Sequence, residues 1–237
     1  MPSELFVLRH GLCTGNAADQ ASRKGDHSLF TPTLRSGPSD EWPLVPSGLP
    51  AIRRAGEWLR AHGPHFDHYV TSPLLRAQQT SVELGFKNAR WVLDPLLRER
   101  NWGGLECLPH PERVSRLVAA GRSTQEDSLS WHPPNGESLE IVMQRVRECL
   151  ARLQARFSHG RVLLVTHGGP IQAIRVLQRQ LPPPAYATFI AGSNHVRNAQ
   201  IFRFHTKKRE DDPFPFYSME QTAFLSGDQW TETAHSL

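Results

Sequence analysis

Residues 5–11 read Leu-Phe-Val-Leu-Arg-His-Gly. The four apolar residues suit a short strand buried on both faces, as in a parallel sheet. The run delivers Arg9, His10 and Gly11 with no spacer, so a cation and an imidazole stand at the strand's carboxyl end. In open parallel sheets that end is where ligands bind. Two further stretches repeat the pattern. Val162–Thr166 (VLLVT) is a second apolar run and is followed at once by His167, Gly168 and Gly169. His68–Thr71 reads as a short strand and leads into Ser72, Pro73 and then Arg76. Two histidines and two arginines, far apart in the chain, are thereby expected at one crevice.

The segments between fit this arrangement. Residues 49–62 carry apolar positions at helical spacing, and so do 138–158 and 169–181, the last stopped by Pro182-Pro183-Pro184. Ser72 and Pro73 make a good N-cap and first turn, which predicts a helix over 73–85. Trp91–Leu93 and Ala199–Phe204 read as further strands. The alternation of strand and helix predicts an α/β fold, a three-layer sandwich whose mostly parallel central sheet carries helices on both faces. Residues 1–205 form one domain in this reading. Residues 17–47 read as a long loop, and 99–135 as irregular around a short periodic piece near 112–120. Both are taken as rim or lid insertions without an apolar face long enough to seat firmly. Residues 206–237 read as a C-terminal extension, packed on the same domain or mobile, with Lys207–Asp212 a solvated charge run.

Composition sets outer bounds. The 237 residues are 38% hydrophobic and 21% charged, ordinary for a soluble globular chain. The net charge of +4 falls short of a nucleic-acid signature and fits a positively lined pocket for a small anion. Three cysteines, Cys13, Cys107 and Cys149, make no disulfide framework and fit a reducing compartment. No apolar stretch reaches the length of a membrane span, and the N-terminus lacks a signal-peptide pattern. A cytoplasmic protein with no membrane or nucleic-acid partner is expected. His62, His65 and His68 are spaced by three, but Gly63-Pro64 breaks any helix that would align them, so no metal site is expected.

A histidine after a strand is ordinarily structural, and one arginine on a helix is ordinarily solvated. The weight lies in the coincidence of Arg9, His10, Arg76 and His167 at equivalent strand ends. Convergent cations describe an anion site, best filled by a phosphoryl group, with Gly11 and Gly168 letting backbone approach it closely.

The ordered set of motifs resembles that of the histidine phosphatase superfamily, the phosphoglycerate-mutase-like proteins. Arg9-His10-Gly11 with Asn16 is similar to its RHG signature. Ser72-Pro73-Leu74-Leu75-Arg76-Ala77-Gln78-Gln79-Thr80 resembles its S-x-x-x-R-A-x-x-T helix start, and Leu97 to Glu106 its L-x-E-x-x-x-G-x-x-E segment. Asn135-Gly136-Glu137-Ser138, Val165 to Gly169 and Asn198-Ala199-Gln200-Ile201 resemble three further motifs in the family's order. The match covers roughly residues 5–204.

The resemblance implies a metal-independent phosphomonoesterase that needs no cofactor and acts on a small phosphorylated substrate. His10 would be the nucleophile and carry the phosphoryl group. Arg9, Asn16, Arg76 and His167 would surround its oxygens, with His167 as an imidazolium. Glu99 would be general acid and then base, with Glu106 a fallback acid. Cys13 replaces a hydroxyl that can touch the phosphate, and Cys107 stands where the family often has Gly. A phosphoglycerate mutase using the same phosphohistidine, and a non-catalytic phosphate-binding protein, are the alternatives. The mutase would have His-Gly-Asn where this chain has His167-Gly168-Gly169.

Overall fold

A computed structural model describes residues 2–63, 65–121, 129–157, 159–179, 181, 185, 186, 189, 195–206, 217–226 and 229–236. Strand β1 (Glu4–Arg9) is followed by helices α1 (Thr14–Arg23), α2 (Pro32–Ser36) and α3 (Leu49–His62). Then come β2 (His68–Thr71), α4 (Leu75–Glu83), β3 (Trp91–Leu93), α5 (His110–Ala119) and α6 (Leu139–Arg156). Strand β4 (Arg161–Thr166), helix α7 (Gly168–Gln178) and strands β5 (Ile201–Thr206), β6 (Tyr217–Ser226) and β7 (Gln229–Ser236) complete the order.

The strands lie in the order β3-β2-β4-β1-β5-β6-β7. The first four run parallel, and β5, β6 and β7 are each antiparallel to their predecessor in that row. Side chains alternate across a strand, and β1 shows it. Leu5 and Val7 join Val142, Val146, Ile171 and Ile174 of α6 and α7 on one face. Phe6 and Leu8 join Ile52, Leu59 and Ala77 of α3 and α4 on the other. This is the expected three-layer α/β sandwich, its five-stranded core mostly parallel.

Several segments depart from the sequence reading. Residues 17–47 are not one loop, because α1 and α2 fall in or overlap them. The piece expected near 112–120 is helix α5. It seats against α1: Arg113 pairs with Asp19, and the His110 N–H donates to Ser22 Oγ at 2.8 Å. No residue of α5 is buried, so the tie between the two insertions is polar.

Helix α4 starts at Leu75 rather than 73. Ser72 Oγ accepts the Leu74 N–H at 3.3 Å but also pairs with His167 across the sheet, so its cap is diverted. The strand expected from Ala199 starts at Ile201, since Ala199 holds a φ of 58°. The C-terminal region continues the sheet as the β6–β7 hairpin, with Ala223 buried in the core and Trp58 Nε1 donating to Glu232 Oε1 at 2.5 Å. Pro182–Pro184 and the charge run Lys207–Asp212 lie outside the described residues. Among the described residues no helix is long and apolar enough to cross a membrane.

Candidate active site

Register brings the site together. Arg9 of β1 pairs with Thr166 of β4, and Val165 of β4 with Thr71 of β2. The residues just past these pairs, His10, His167 and Ser72, therefore emerge side by side. The His10 N–H donates to Thr166 O and the Ser72 N–H to Val165 O, each at 2.9 Å. The two imidazole rings stand 4.9 Å apart between centroids.

His10 is buried, with 1% of its surface exposed. Its Nδ1 lies 2.7 Å from Gly11 O. A carbonyl can only accept, so Nδ1 carries the proton and Nε2 bears the lone pair. Arg76 Nε donates to that Nε2 at 3.2 Å, and Arg76 Nη1 donates to Ser39 O at 2.7 Å. Burial, then the guanidiniums of Arg76 and Arg9, hold the His10 proton affinity well below that of an ordinary imidazole.

His167 is also buried, and its Nε2 pairs with Ser72 Oγ at 2.8 Å. Burial and the nearby Arg76, His10 and Arg9 oppose its charging as well. Without an anion in the crevice, burial first and then the neighbouring cations therefore disfavour the imidazolium expected at His167.

Arg9 Nη1 donates to Val196 O at 2.6 Å, and Nη2 donates to Asn16 Oδ1 at 3.3 Å. Arg9 Nε and His167 Nδ1 are buried with no hydrogen-bond partner. Buried polar groups are ordinarily paired, so the unpartnered Nε of Arg9, a residue that lines the crevice, fits an oxygen-rich anion there, while His167 lies beneath the lining. Asn198, which sequence reading noted only as part of a strand motif, ties these parts together. Its Nδ2 lies 3.0 Å from both His10 O and Asn16 Oδ1.

Glu99 follows a short turn, Pro95–Leu97, and reaches the start of α7. Helix N-termini leave unpaired N–H groups, and the N-cap His167 supplies no side-chain cap. Glu99 supplies it instead. Its Oε2 accepts the Gly168 N–H at 3.1 Å, and its Oε1 accepts those of Gly169 at 2.9 Å and Arg100 at 2.8 Å. A Cβ on Gly169 would stand 2.5 Å from Glu99 Oε1, whereas one on Gly168 would meet Oε2 at 3.7 Å, an ordinary contact. Gly169, not Gly168, is thus the residue whose missing side chain admits the carboxylate. Gly11 is likewise a packing residue, since a Cβ there would overlap Ile52.

A cavity of about 380 Å³ opens over this floor, lined by Arg9, His10, Asn16, Arg76, Glu99 and Gly168 among others. Glu106 also lines it. Its carboxyl accepts the Ser39 hydroxyl at 2.8 Å, and burial raises its proton affinity. Cys13 is fully buried, bridges to Leu44, and is not among the lining residues; burial pushes its thiol up. The expected contact of Cys13 with phosphate is corrected to a packing role. Cys107, at a family glycine position, holds a φ of 58°. His62 stacks on Trp58 and His68 on Phe157. Among the described residues no group of three or more His, Cys, Asp or Glu could hold a metal ion.

Known proteins share the chain's fold and part of its sequence. A 2,3-bisphosphoglycerate-dependent phosphoglycerate mutase of Azorhizobium caulinodans is 31% identical over 146 residues, 59% of this chain and 71% of that one. The fructose-2,6-bisphosphatase TIGAR B of Danio rerio is 32% identical over 60% of this chain and 55% of its own. Among solved structures, a mycobacterial glucosyl-3-phosphoglycerate phosphatase complexed with VO3 superposes with a TM-score of 0.69 at 26% identity, covering 85% of this chain and 92% of that one. The alpha-ribazole phosphatase of Shigella flexneri shares the fold, with a TM-score of 0.67 at 20% identity over 86% of this chain and 91% of its own. The family model of the histidine phosphatase superfamily (branch 1) matches residues 5–210, a span that holds every residue of the crevice described above, and to that superfamily the chain belongs.

Proposed function

We propose that the chain is a phosphomonoesterase that works through a phosphohistidine at His10. The observation that carries this reading is the fixed tautomer of His10, a buried imidazole whose Nε2 accepts from Arg76 and whose charging is opposed by burial, Arg76 and Arg9. Nε2 attacks phosphorus as the ester P–O bond breaks, and Glu99 gives the leaving oxygen its proton. Water then attacks the phosphohistidine, Glu99 takes its proton, and the P–N bond breaks to release orthophosphate. Charge on the equatorial oxygens is met by Arg9, Arg76, Asn16, the Gly168 region and His167 as a donor, which is what phosphoryl transfer asks of a protein. The guanidiniums supply the positive charge, so a chelator is expected to leave the rate unchanged. The three cysteines, all free, support a reducing, cytoplasmic setting.

The proton donor has a second candidate. Both oxygens of Glu99 accept backbone N–H groups, while Glu106 lines the same cavity with a raised proton affinity.

Mutase activity is a second reading, favoured by the names of the sequence relatives. Hydrolysis is favoured by a second cavity, about 470 Å³, that reaches Arg76, Glu99 and Glu106 and is also lined by Arg98 and Asp40. It leaves room for water beside the carboxylates. The test is incubation with 3-phosphoglycerate and a trace of 2,3-bisphosphoglycerate, following 2-phosphoglycerate and free phosphate together. Interconversion much faster than phosphate release would overturn the phosphatase reading. His10→Ala is expected to abolish both turnover and acid-labile phosphoprotein.

A further inference from the structure

The cavity above His10 is larger than a phosphoryl group needs, and its upper wall has a distinct chemistry. Phe30, Trp42, Trp102, Leu105, Leu108 and Val196 line it. At about 380 Å³ it lies in the range of sites that enclose a whole small ligand. The two indoles are held in place. Trp42 packs where a Cβ on Gly15 would overlap its ring, and the Arg76 guanidinium stands 5.9 Å from the ring centroid. Trp102 lies under the Arg100 guanidinium at 4.3 Å.

The charges of the same cavity point the same way. Beyond the arginines of the floor, the lining cations are Arg100 and Arg113. Arg113 pairs with Asp19, and Arg100 donates to Glu137 O at 3.0 Å and Trp131 O at 3.4 Å. Three carboxylates, Asp19, Glu99 and Glu106, line the cavity as well. Asp19 and Arg113 cancel, and a phosphate takes up Arg9 and Arg76, so a second anionic group would meet Glu99 and Glu106 against the one further cation, Arg100, which lies over Trp102; like charges in a partly buried site repel strongly. An uncharged, flat, polarisable group would instead find indole surface, with His195, whose proton affinity burial lowers, on the same lining.

We infer that this cavity takes a phosphate monoester of an uncharged alcohol bearing a planar unsaturated ring, seated against Trp42 and Trp102. The inference rests on the phosphatase reading for the chemistry, but the binding site can be tested apart from it.

The test is calorimetric binding to the full chain of two non-hydrolysable phosphonates, benzylphosphonate and 3-phosphonopropionate, with inorganic phosphate as reference. Benzylphosphonate is expected to bind about tenfold or more tighter than the carboxylated compound, the scale of one well-packed ring. The ratio of benzylphosphonate to phosphate affinity is expected to fall towards one in both Trp42→Leu and Trp102→Leu. Equal or tighter binding of 3-phosphonopropionate overturns the inference, as does a ratio that both variants leave unchanged. A parallel assay on benzyl phosphate and 3-phosphoglycerate separates the two claims. Tight ring binding without turnover sinks the phosphatase reading and keeps the ring site. Faster hydrolysis of 3-phosphoglycerate than of benzyl phosphate sinks the ring site and keeps the phosphatase.

Discussion

Arg76 donates its Nε–H to Nε2 of His10 at 3.2 Å, so the guanidinium lies on the lone pair that would attack phosphorus. The same contact fixes the ring and helps hold it neutral, after burial, which is the larger cause. A phosphoryl group entering the crevice has to take over this donor, turning Arg76 from a partner of the nucleophile into a partner of the substrate.

Arg76→Lys keeps a charge but loses the planar fork. Its kcat on any substrate is expected to drop by about 10²–10³, the scale of a lost oxyanion donor. Arg76→Ala also removes a positive neighbour, so the His10 proton affinity rises towards that of an ordinary imidazole. The acid limb of the kcat/KM profile should move to higher pH in Arg76→Ala and much less in Arg76→Lys. Identical limbs in the two variants would show that Arg76 does not tune His10.

Glu99 and Glu106 are separable by leaving group. Loss of a general acid costs about 10²–10⁴ in rate on esters of poor leaving groups. Glu99→Gln is expected to show that loss on an alkyl phosphate and far less on p-nitrophenyl phosphate. If Glu106→Gln shows the larger, leaving-group-dependent loss and also erases the basic limb of the profile, the proton comes from Glu106.

Gly169→Ala and Gly168→Ala form a matched pair. The added methyl at 169 meets Glu99 Oε1 at 2.5 Å and must push the carboxylate from the α7 terminus, whereas the methyl at 168 meets nothing closer than 3.7 Å. Gly169→Ala should therefore lose activity severely and also lose about 0.5–2 kcal/mol of stability, since displacing Glu99 uncaps α7. Gly168→Ala should lose far less. Equal losses would mean that Glu99 is not held where its bonds to α7 place it.

Acid should weaken the fold through the buried imidazoles. His10 and His167 have proton affinities well below the ordinary value of 6.5, so below that pH the unfolded chain takes up protons that the folded chain refuses. Their neutral forms cost nothing above pH 6.5, and stability falls as the pH drops beneath it. Each contributes a slope of up to about 1.4 kcal/mol per pH unit. Urea unfolding at pH 7.5, 6.5 and 5.5 should show the decline in the lower interval, reduced in His10→Gln. A flat profile down to pH 5.5 would contradict the burial of both rings.

Much of this molecule was legible in the chain because its signals are local. The apolar runs ending on Arg9-His10 and Thr166-His167 announce buried strands and their loaded ends. Ser138 caps α6 by accepting the Ile141 N–H three residues on, and the apolar spacing of 49–62 is helix α3. Nearest-neighbour preferences and periodicities of 2 and 3.6 need no tertiary partner to be read. The residues that finish the site do need one. Ser72 meets His167 across 95 positions, Asn198 reaches His10 across 188, and Glu99 caps a helix that begins 69 residues later. Which glycine admits that carboxylate, which cysteine is merely packed, and that α5 seats on α1 are decided by sheet register and by the close packing of side chains from distant segments. Composition and spacing carry no record of those distances, and so the crevice could be named from the sequence while its walls took shape only when the strands paired.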